Sequence, residues 1–390
     1  MPASSSSPTT VLVDDSGPVL GELGQVPAAP PGLWQCLQKV TDPRKRRGVR
    51  HPITGVVAVA LAATLAGAQS FLGIAEWAAD AGAGELAALG LGGVVPCEST
   101  IRRCLQRLDP SSLDALIGGW MWWQTSMLDG RRVIALDGKS LRGARDGAGN
   151  LTHLLSALCQ QTGTVLGQLP VGAKTNEIPV LAKLLDTMDI TGAVITADAL
   201  HTQRGTADYI ASRGAHYILT VKNNQRNLRK QLKALPWKQV PVLATDREHG
   251  HGRTATRCLK ATEIAAGIGF PHAVQVLQLT RKTRRRPGAR LHTEIVYAVT
   301  SLSATDAHPS QVAGWLRGHW GIVNRIHWVR DVTFDEDRSQ IRTNAGPQVM
   351  ATLRNTAISL LRLSSQTSIA AALRHHSRDP HRPITLLLTY

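Results

Sequence analysis

Apolar residues at Leu33, Cys36, Leu37 and Val40 recur every three or four positions and predict a helix, which the polar run TDPRKRRGVRHP then interrupts. The stretch from Ile53 to Ala75 carries no charge. It is rich in Ala and broken by Thr54, Gly55, Thr64, Gly67, Gln69, Ser70 and Gly73, so it predicts a buried helix pair and is too weakly apolar for a membrane span. Beyond Pro96, Ser99 opens a short helix with Ile101, Cys104, Leu105 and Leu108 on one face and Arg102, Arg103 and Arg107 on the other.

At Arg131 the periodicity changes. RRVIALDGKS predicts a buried strand ending in an Asp-Gly turn, and LTHLLSALC and TVLGQLPVG predict two further strands. NEIPVLAKLLDTM is helical, with Ile178, Leu181, Leu184, Leu185 and Met188 in register. GAVITADAL, QRGTADYIASRG and HYILTVK continue as strand, helix and strand. The order predicts an α/β fold with a mixed sheet, antiparallel strands first and parallel ones after. Residues 225–308 break this rhythm and predict an inserted β subdomain, in which HAVQVLQLT and HTEIVYAVTSL flank the basic hairpin tip RKTRRRPGAR. A helix is expected from about Ser310 to Val329, its apolar stripe formed by Val312, Trp315, Leu316, Ile322, Val323 and Ile326, and VMATLRNTAISLLRL closes the fold. Residues 1–31, rich in Ser, Thr, Pro and Gly, read as a disordered leader. The expected division is therefore a leader (1–31), a small all-α domain (32–128) and an α/β domain (129–390) with its insertion at about 225–308.

Charge narrows the partners. Lys and Arg number 44 against 28 Asp and Glu, a net +16, which points to a polyanion, nucleic acid first and anionic membrane second. Hydrophobic residues at 43% exclude a chain disordered throughout. The five scattered cysteines form no CxxC pair, which excludes a zinc ribbon or disulfide framework and fits a reducing, intracellular compartment. The basic helix face at Arg102, Arg103 and Arg107 has two readings, a DNA reader of helix-turn-helix type or the solvated side of an ordinary bundle.

Two acids stand at matching places, Asp137 after VIAL and Asp198 after VITA. Side chains at the carboxyl ends of neighbouring strands converge on one rim of an α/β sheet. Carboxylates held there repel unless a cation such as Mg²⁺ joins them. The competing reading makes Asp137 the first residue of a turn and Asp198 a helix cap. DGKS is no phosphate-binding loop, because Val133 stands where the first Gly belongs. His249, His251, His319 and His327 lack a metal-binding motif and read as surface or structural histidines. Ser140 lacks a GxSxG context. Trp122, Trp123, Trp315, Trp320 and Trp328 read as core.

The strings ALDGKSLRGAR, KTNEIP, TADALHTQR, VKNNQ and RGHWGIVNRIHWVRDVTFDEDRS, in this order, resemble the insertion-sequence transposases of the DDE class, most closely the H-repeat-associated group. The likeness spans the chain from DPRKRRGVRHP to MATLRNTAI. It implies an RNase H-like catalytic domain, double-stranded DNA as partner at element ends and target, strand cleavage and transfer with Mg²⁺ (or Mn²⁺ in its place), and a homo-oligomer on DNA. It also implies a bacterial cytoplasmic protein associated with the nucleoid, without membrane contact. Asp137 and Asp198 take the places of the family's first two acids, as catalytic and metal-binding residues. Lys139, Arg142, Lys174 and Lys222 beside the motif strands, Arg284, Arg285 and Arg286 at the hairpin tip, and Arg102, Arg103 and Arg107 are the expected DNA contacts. Asn176 and Glu177 read either as DNA contacts or as caps of the helix they open.

The third acid is missing. Where the family reads His-Trp-x-Ile-Glu-Asn, this chain reads His319-Trp320-Gly321-Ile322-Val323-Asn324. Asp331 lies eight residues on, roughly 12 Å along a helix, too far to replace a metal ligand by a rotamer change. The expectation is a protein that folds and binds DNA but is catalytically crippled. The alternatives are a DNA-binding relic or repressor without catalysis and a metal-dependent nuclease without strand transfer. A smaller departure is RTNAGP at residues 342–347, where the family tends to read Arg-Thr-Gly-Asn-Ala-Pro and a turn is expected to change.

Overall fold

The computed structural model describes residues 32–47, 49–125, 130–145, 149–172, 175–250, 252–285 and 289–390. The leader assigned to 1–31, together with Lys174, His251 and Arg286, lies outside the described residues.

Among the described residues six helices come first: α1 (Leu33–Leu37), α2 (Ile53–Leu65), α3 (Phe71–Ala81), α4 (Ala83–Ala88), α5 (Glu98–Leu105) and α6 (Pro110–Gln124). The uncharged stretch forms α2 and the first half of α3, separated by a cap in which Ser70 Oγ accepts from the Gly73 amide. Every residue of α2 except Thr54 is buried, the expected state of a helix apolar all round. Among the described residues no helix is long and apolar enough to cross a membrane. Helix α5 buries Ile101, Cys104 and Leu105, with Glu98 in its first turn and Arg102 and Arg103 in its last, a charge order that suits the helix dipole.

The sheet part follows as β1 (Val133–Arg145), β2 (Leu151–Cys159), β3 (Val165–Val171), α7 (Glu177–Leu185), β4 (Val194–Ala197), α8 (Arg204–Ser212), β5 (His216–Val221) and α9 (Arg226–Ala234). Then come β6 (Ala244–Gly250), β7 (Arg253–Glu263), β8 (Gln275–Arg284) and β9 (His292–Thr300). The chain ends with α10 (Pro309–His319), a π-helical turn (Ile322–His327), α11 (Trp328–Val332), α12 (Gly346–Leu363), α13 (Ile369–His376) and α14 (His381–Thr389). The nine strands of the described residues make one sheet in the order β3-β2-β1-β4-β5-β9-β8-β7-β6. Strands β1 to β3 are antiparallel, while β4 and β5 run parallel to β1, which is the RNase H-like arrangement. The inserted strands continue this sheet, because β9 pairs antiparallel with β5. The fold is thus α/β with a mixed sheet, preceded by an all-helical region.

Three expectations need correction. Strand β1 does not end at Asp137-Gly138: β2 pairs with it from Ile134 to Leu141, and that ladder keeps the Asp-Gly step extended. The late helix is not continuous, since α10 gives way to the π turn and then to α11. Finally, Trp123, Trp320 and Trp328 are 63%, 58% and 56% exposed, unlike Trp315 at 3%, so three of the expected core tryptophans face outward.

The sheet divides two cores by residue parity. Val133, Val194 and Ile218 pack with Val312, Trp315 and Leu316 of α10. Ile134, Ile195 and Leu219 belong to the larger core, which takes in Leu181 and Leu184 of α7 and continues through α2 and α12. In RTNAGP, Asn344 takes the left-handed backbone at φ 50°, and Gly346 is needed for space, because a Cβ there meets Ile341 Cγ2 at 2.9 Å.

Candidate active site

Asp137 and Asp198 are brought together by the parallel pairing of β1 with β4. The ladder runs from Val133–Val194 to Leu136–Ala197, so the next step is Asp137 beside Asp198, on strands about 5 Å apart. Asp137 shares the face of Val133, the face covered by α10 and the π turn. Thr196, two residues before Asp198, reaches the same side, where its Oγ1 lies 3.2 Å from His319 Nδ1. Asp198 also caps the turn that follows, accepting from the Leu200 amide at 2.9 Å. The cap reading of that residue is thus met, while its carboxylate lies beside that of Asp137 by strand register.

Burial pushes the Asp137 carboxyl up to about 7, and the negative charges of Asp198 and then Glu177 add to the effect. Neighbouring carboxylates of this kind cannot both ionise readily without a cation. Two histidines close the site from the helical side. His327 Nδ1 lies 3.4 Å from Asp137 Oδ2. Burial, assisted by Arg330 and Lys139, lowers His327 to about 3, and burial lowers His319 to about 4. At neutral pH both rings are uncharged and leave the negative charge of the pair uncancelled.

The other side of the rim holds a further acid, Glu177. Glu177 Oε1 accepts from His153 Nε2 at 2.8 Å and Oε2 from His201 Nε2 at 2.9 Å. Burial alone would raise this carboxyl, but the two histidine hydrogen bonds outweigh it and hold it at about 2. Ser140 Oγ extends the chain to His153 Nδ1 at 2.8 Å. Gly138 lies beneath: a Cβ there would run into the Glu177 carboxylate and the His153 ring. Successive residues of a strand face opposite sides, so Glu177 over Gly138 lies across the sheet from Asp137. Asn176, not Glu177, caps α7, accepting from the Ile178 amide. His153 and His201 were missed from sequence; the only trace was their place within strands and strings already tied to the acids.

Val323 sits on the π turn one residue into it, half-buried against the core. His327, four residues later and about one turn on, is the residue that meets Asp137, so position 323 lies on the helical stretch that covers the acids. The nearby acids are all engaged. Asp331 Oδ1 pairs with Lys139 Nζ at 2.5 Å. Glu336 is bound by Arg330 and Arg354, each at 2.8 Å. Asp337 lies between Lys139 at 3.8 Å and Arg142 at 3.7 Å. Among the described residues no group of three or more His, Cys, Asp or Glu is arranged to hold a metal ion.

The expected DNA contacts divide. Lys139 must be withdrawn: it is 7% exposed and its ammonium is taken by Asp331, with Glu336 at 3.9 Å. Arg142, Lys222, Arg284 and Arg285 are exposed, Lys222 just beyond β5 and the latter two at the end of β8. Arg102 is tied to Glu98 at 3.0 Å, whereas Arg103 on α5 and Arg107 just beyond it are exposed.

Residues 128–360 match the family model of the transposase DDE domain, more than half of the chain. This chain belongs to the DDE transposase family. Residues 34–121 match the model of the region associated with that domain. Among its relatives is "Putative transposase YncI" of Escherichia coli O157:H7, 27% identical over 359 residues, covering 85% of this chain and 87% of that protein. Another is "H repeat-associated putative transposase YhhI" of Escherichia coli K12, 26% identical over 368 residues, covering 89% and 94%. The transposase falls in this H-repeat-associated group. A solved structure of the piggyBac transposase synaptic complex with hairpin DNA matches with a TM-score of 0.42 and 12% identity, over 89% of this chain and 79% of that one.

Proposed function

We propose that this transposase holds duplex DNA, at element ends and target, on the rim carrying Asp137 and Asp198, as a homo-oligomer at the nucleoid of a bacterial cell. We further propose that Val323 has disabled its strand cleavage and transfer. DNA as substrate comes from the family, and the loss of chemistry from this chain's own residue. The donor set suits a hard divalent cation: two carboxylates on one face, one of them pushed up to about 7 by burial and by its neighbours, await a positive charge. Asp137 and Asp198 would hold Mg²⁺, with Mn²⁺ as substitute, since one or two carboxylates plus substrate phosphates complete its shell. When bound, such an ion polarises a phosphoryl oxygen and favours the deprotonated form of an attacking water or 3′-hydroxyl.

The chain's own part is to aim both carboxylates from adjacent parallel strands, Asp137 from within β1 and Asp198 from just beyond β4, and to keep His319 and His327 neutral against them. Exposed Arg142, Lys222, Arg284 and Arg285 lie on the parts of the sheet available to phosphates. Arg286 and Lys174 remain proposals on sequence grounds. What the chain lacks is the third oxygen donor, since a valine has no lone pair to offer a second ion. Val323 is the single observation that carries this reading. It also favours a second role, in which the protein occupies the element ends without cutting them and represses the element.

The test is cleavage of a supercoiled plasmid carrying the element ends, with Mg²⁺ or Mn²⁺, comparing wild type with Val323→Glu. Restoring the acid is expected to raise the rate at least about 100-fold, the scale of losing a preorganised charge-stabilising group. Asp137→Asn in the restored protein is expected to abolish cleavage. Equal activity of wild type and Val323→Glu would defeat the proposal.

A further inference from the structure

Across the sheet from Asp137, the hydrogen-bonded chain of Ser140, His153, Glu177 and His201 opens at one end on a cavity of about 330 Å³. Ser140, His153 and Glu177 line it, with Leu151, Val171 and Leu200 as its apolar wall. The strands fix the pair at its mouth: β1 and β2 set Ser140 directly opposite His153, and both side chains are half-buried. Glu177 enters from the first turn of α7 and takes the space over Gly138, where no Cβ stands in its way.

The direction of the hydrogen bonds follows from the acid. Glu177 is held ionised, so its oxygens only accept, and Nε2 of both His153 and His201 carries the hydrogen. A neutral His153 then presents a bare Nδ1 to Ser140 at 2.8 Å, and the hydroxyl donates. His201 is fully buried and its Nδ1 meets no partner, so its ring serves to hold Glu177 Oε2. A hydroxyl, a base 2.8 Å away and an acid orienting that base at 2.8 Å are the parts that make a serine nucleophilic, recognised by geometry and not by sequence order. The GxSxG pattern that Ser140 lacks belongs to one way of presenting the serine, on a strand-to-helix elbow. Here the serine stands within a strand, and the ring works with Nδ1 toward the hydroxyl and Nε2 toward the acid.

We propose that Ser140, His153 and Glu177 form a second catalytic centre, which hydrolyses small carboxylic esters through an acyl-serine. Ser140 Oγ bonds to the ester carbonyl carbon while its proton passes to His153 Nδ1. The bond from that carbon to the alcohol oxygen then breaks, and the departing oxygen takes the proton from His153. Water repeats the sequence on the acyl-serine: its proton goes to His153, the bond to Oγ breaks, Oγ recovers the proton and the carboxylic acid leaves. The cavity is at the lower end of the usual size for ligand sites, which limits the acyl group to a short chain. This activity is independent of Asp137 and Asp198 and of whether the chain cuts DNA.

The full-length protein is tested with p-nitrophenyl acetate and with a fluorophosphonate probe, which phosphonylates activated serines, comparing wild type with Ser140→Ala. That variant removes one oxygen at a half-buried strand position, so the fold is kept. Wild type is expected to hydrolyse the ester at least about 100-fold faster than Ser140→Ala, the scale of losing nucleophile and base together. It is also expected to carry the probe on the Ser140 peptide, read by mass spectrometry. Glu177→Gln is expected to slow labelling at least about 100-fold, since the amide no longer fixes the tautomer of His153. Equal ester hydrolysis by wild type and Ser140→Ala, or an unlabelled Ser140, overturns the proposal, as does equal labelling of wild type and a folded Glu177→Gln. Should Glu177→Gln fail to fold, the comparison with Ser140→Ala decides alone, because a chain that only braces the sheet leaves Ser140 inert.

Discussion

Glu336 shows what the interior behind the acids demands of single residues. Burial by itself would raise its carboxyl, but Arg330 and Arg354 prevail and hold it at about 2. Arg330 donates through Nε at 2.8 Å and Nη2 at 3.0 Å, and Arg354 through Nη1 at 2.8 Å. Glu336→Gln would leave two buried guanidiniums without a counter-charge, a change expected to cost about 3–5 kcal/mol. Urea unfolding checks this, and a loss below about 1 kcal/mol, the level of an exposed pair, would contradict it. The same neighbourhood shows where single residues could and could not be read in advance. The nearness of Asp137 and Asp198 was legible because each follows an apolar run, VIAL and VITA, on strands that pair in parallel. Lys139 was misread because a lysine beside a motif acid resembles a phosphate contact, while its true partner, Asp331, stands 192 residues away. The exposed tryptophans were misread for a related reason: composition says that Trp is usually core, and only packing says which ones are not.

At the scale of elements, α6 and α12 are joined by a polar chain that no periodicity reveals. Asp114 of α6 accepts from Thr352 Oγ1 at 2.8 Å and Gln348 Nε2 at 3.2 Å, both on α12. Gln168 of β3 donates to Thr352 and accepts from Asn355, which in turn accepts from Arg330. Burial pushes Asp114 up to about 7, so the folded protein prefers it protonated. An unfolded Asp ionises near 3.9. Stability from this group is therefore full below about 4 and is lost as pH rises toward 7, at up to about 1.4 kcal/mol per pH unit. Asp114→Asn keeps an acceptor without the charge and is expected to flatten that part of the stability profile, read by urea midpoints from pH 4 to about 8. An unchanged profile would assign the dependence elsewhere. Strands β1 to β5 were legible because their apolar runs are short and bounded. The π turn was not, since the stripe of Ile322, Val323 and Ile326 is compatible with either helical form, and the turn's contacts with β1 are distant in sequence.

For the whole molecule, the change of texture near residue 128 suggests a boundary that the packing does not respect. Helix α12, buried from Gly346 to Leu361, lies against α2, α6 and β3 at once. The last residue closes on the first described helix, the Tyr390 carbonyl accepting from the Leu33 amide at 2.6 Å and its ring meeting Trp120 edge-on at 6.2 Å. One core cluster contains Val56, Leu61, Ile134, Leu181 and Leu353. The helical region and the sheet should therefore unfold as one cooperative unit, and residues 32–128 alone should not fold, because α2 would expose a surface that is apolar all round. Native-state hydrogen exchange decides this, since each element reports its own opening free energy. Amides of α2 and of β4 are expected to converge on one global value as denaturant rises. If β4 kept its protection after α2 had opened, the two regions would be separate domains and not parts of a shared core.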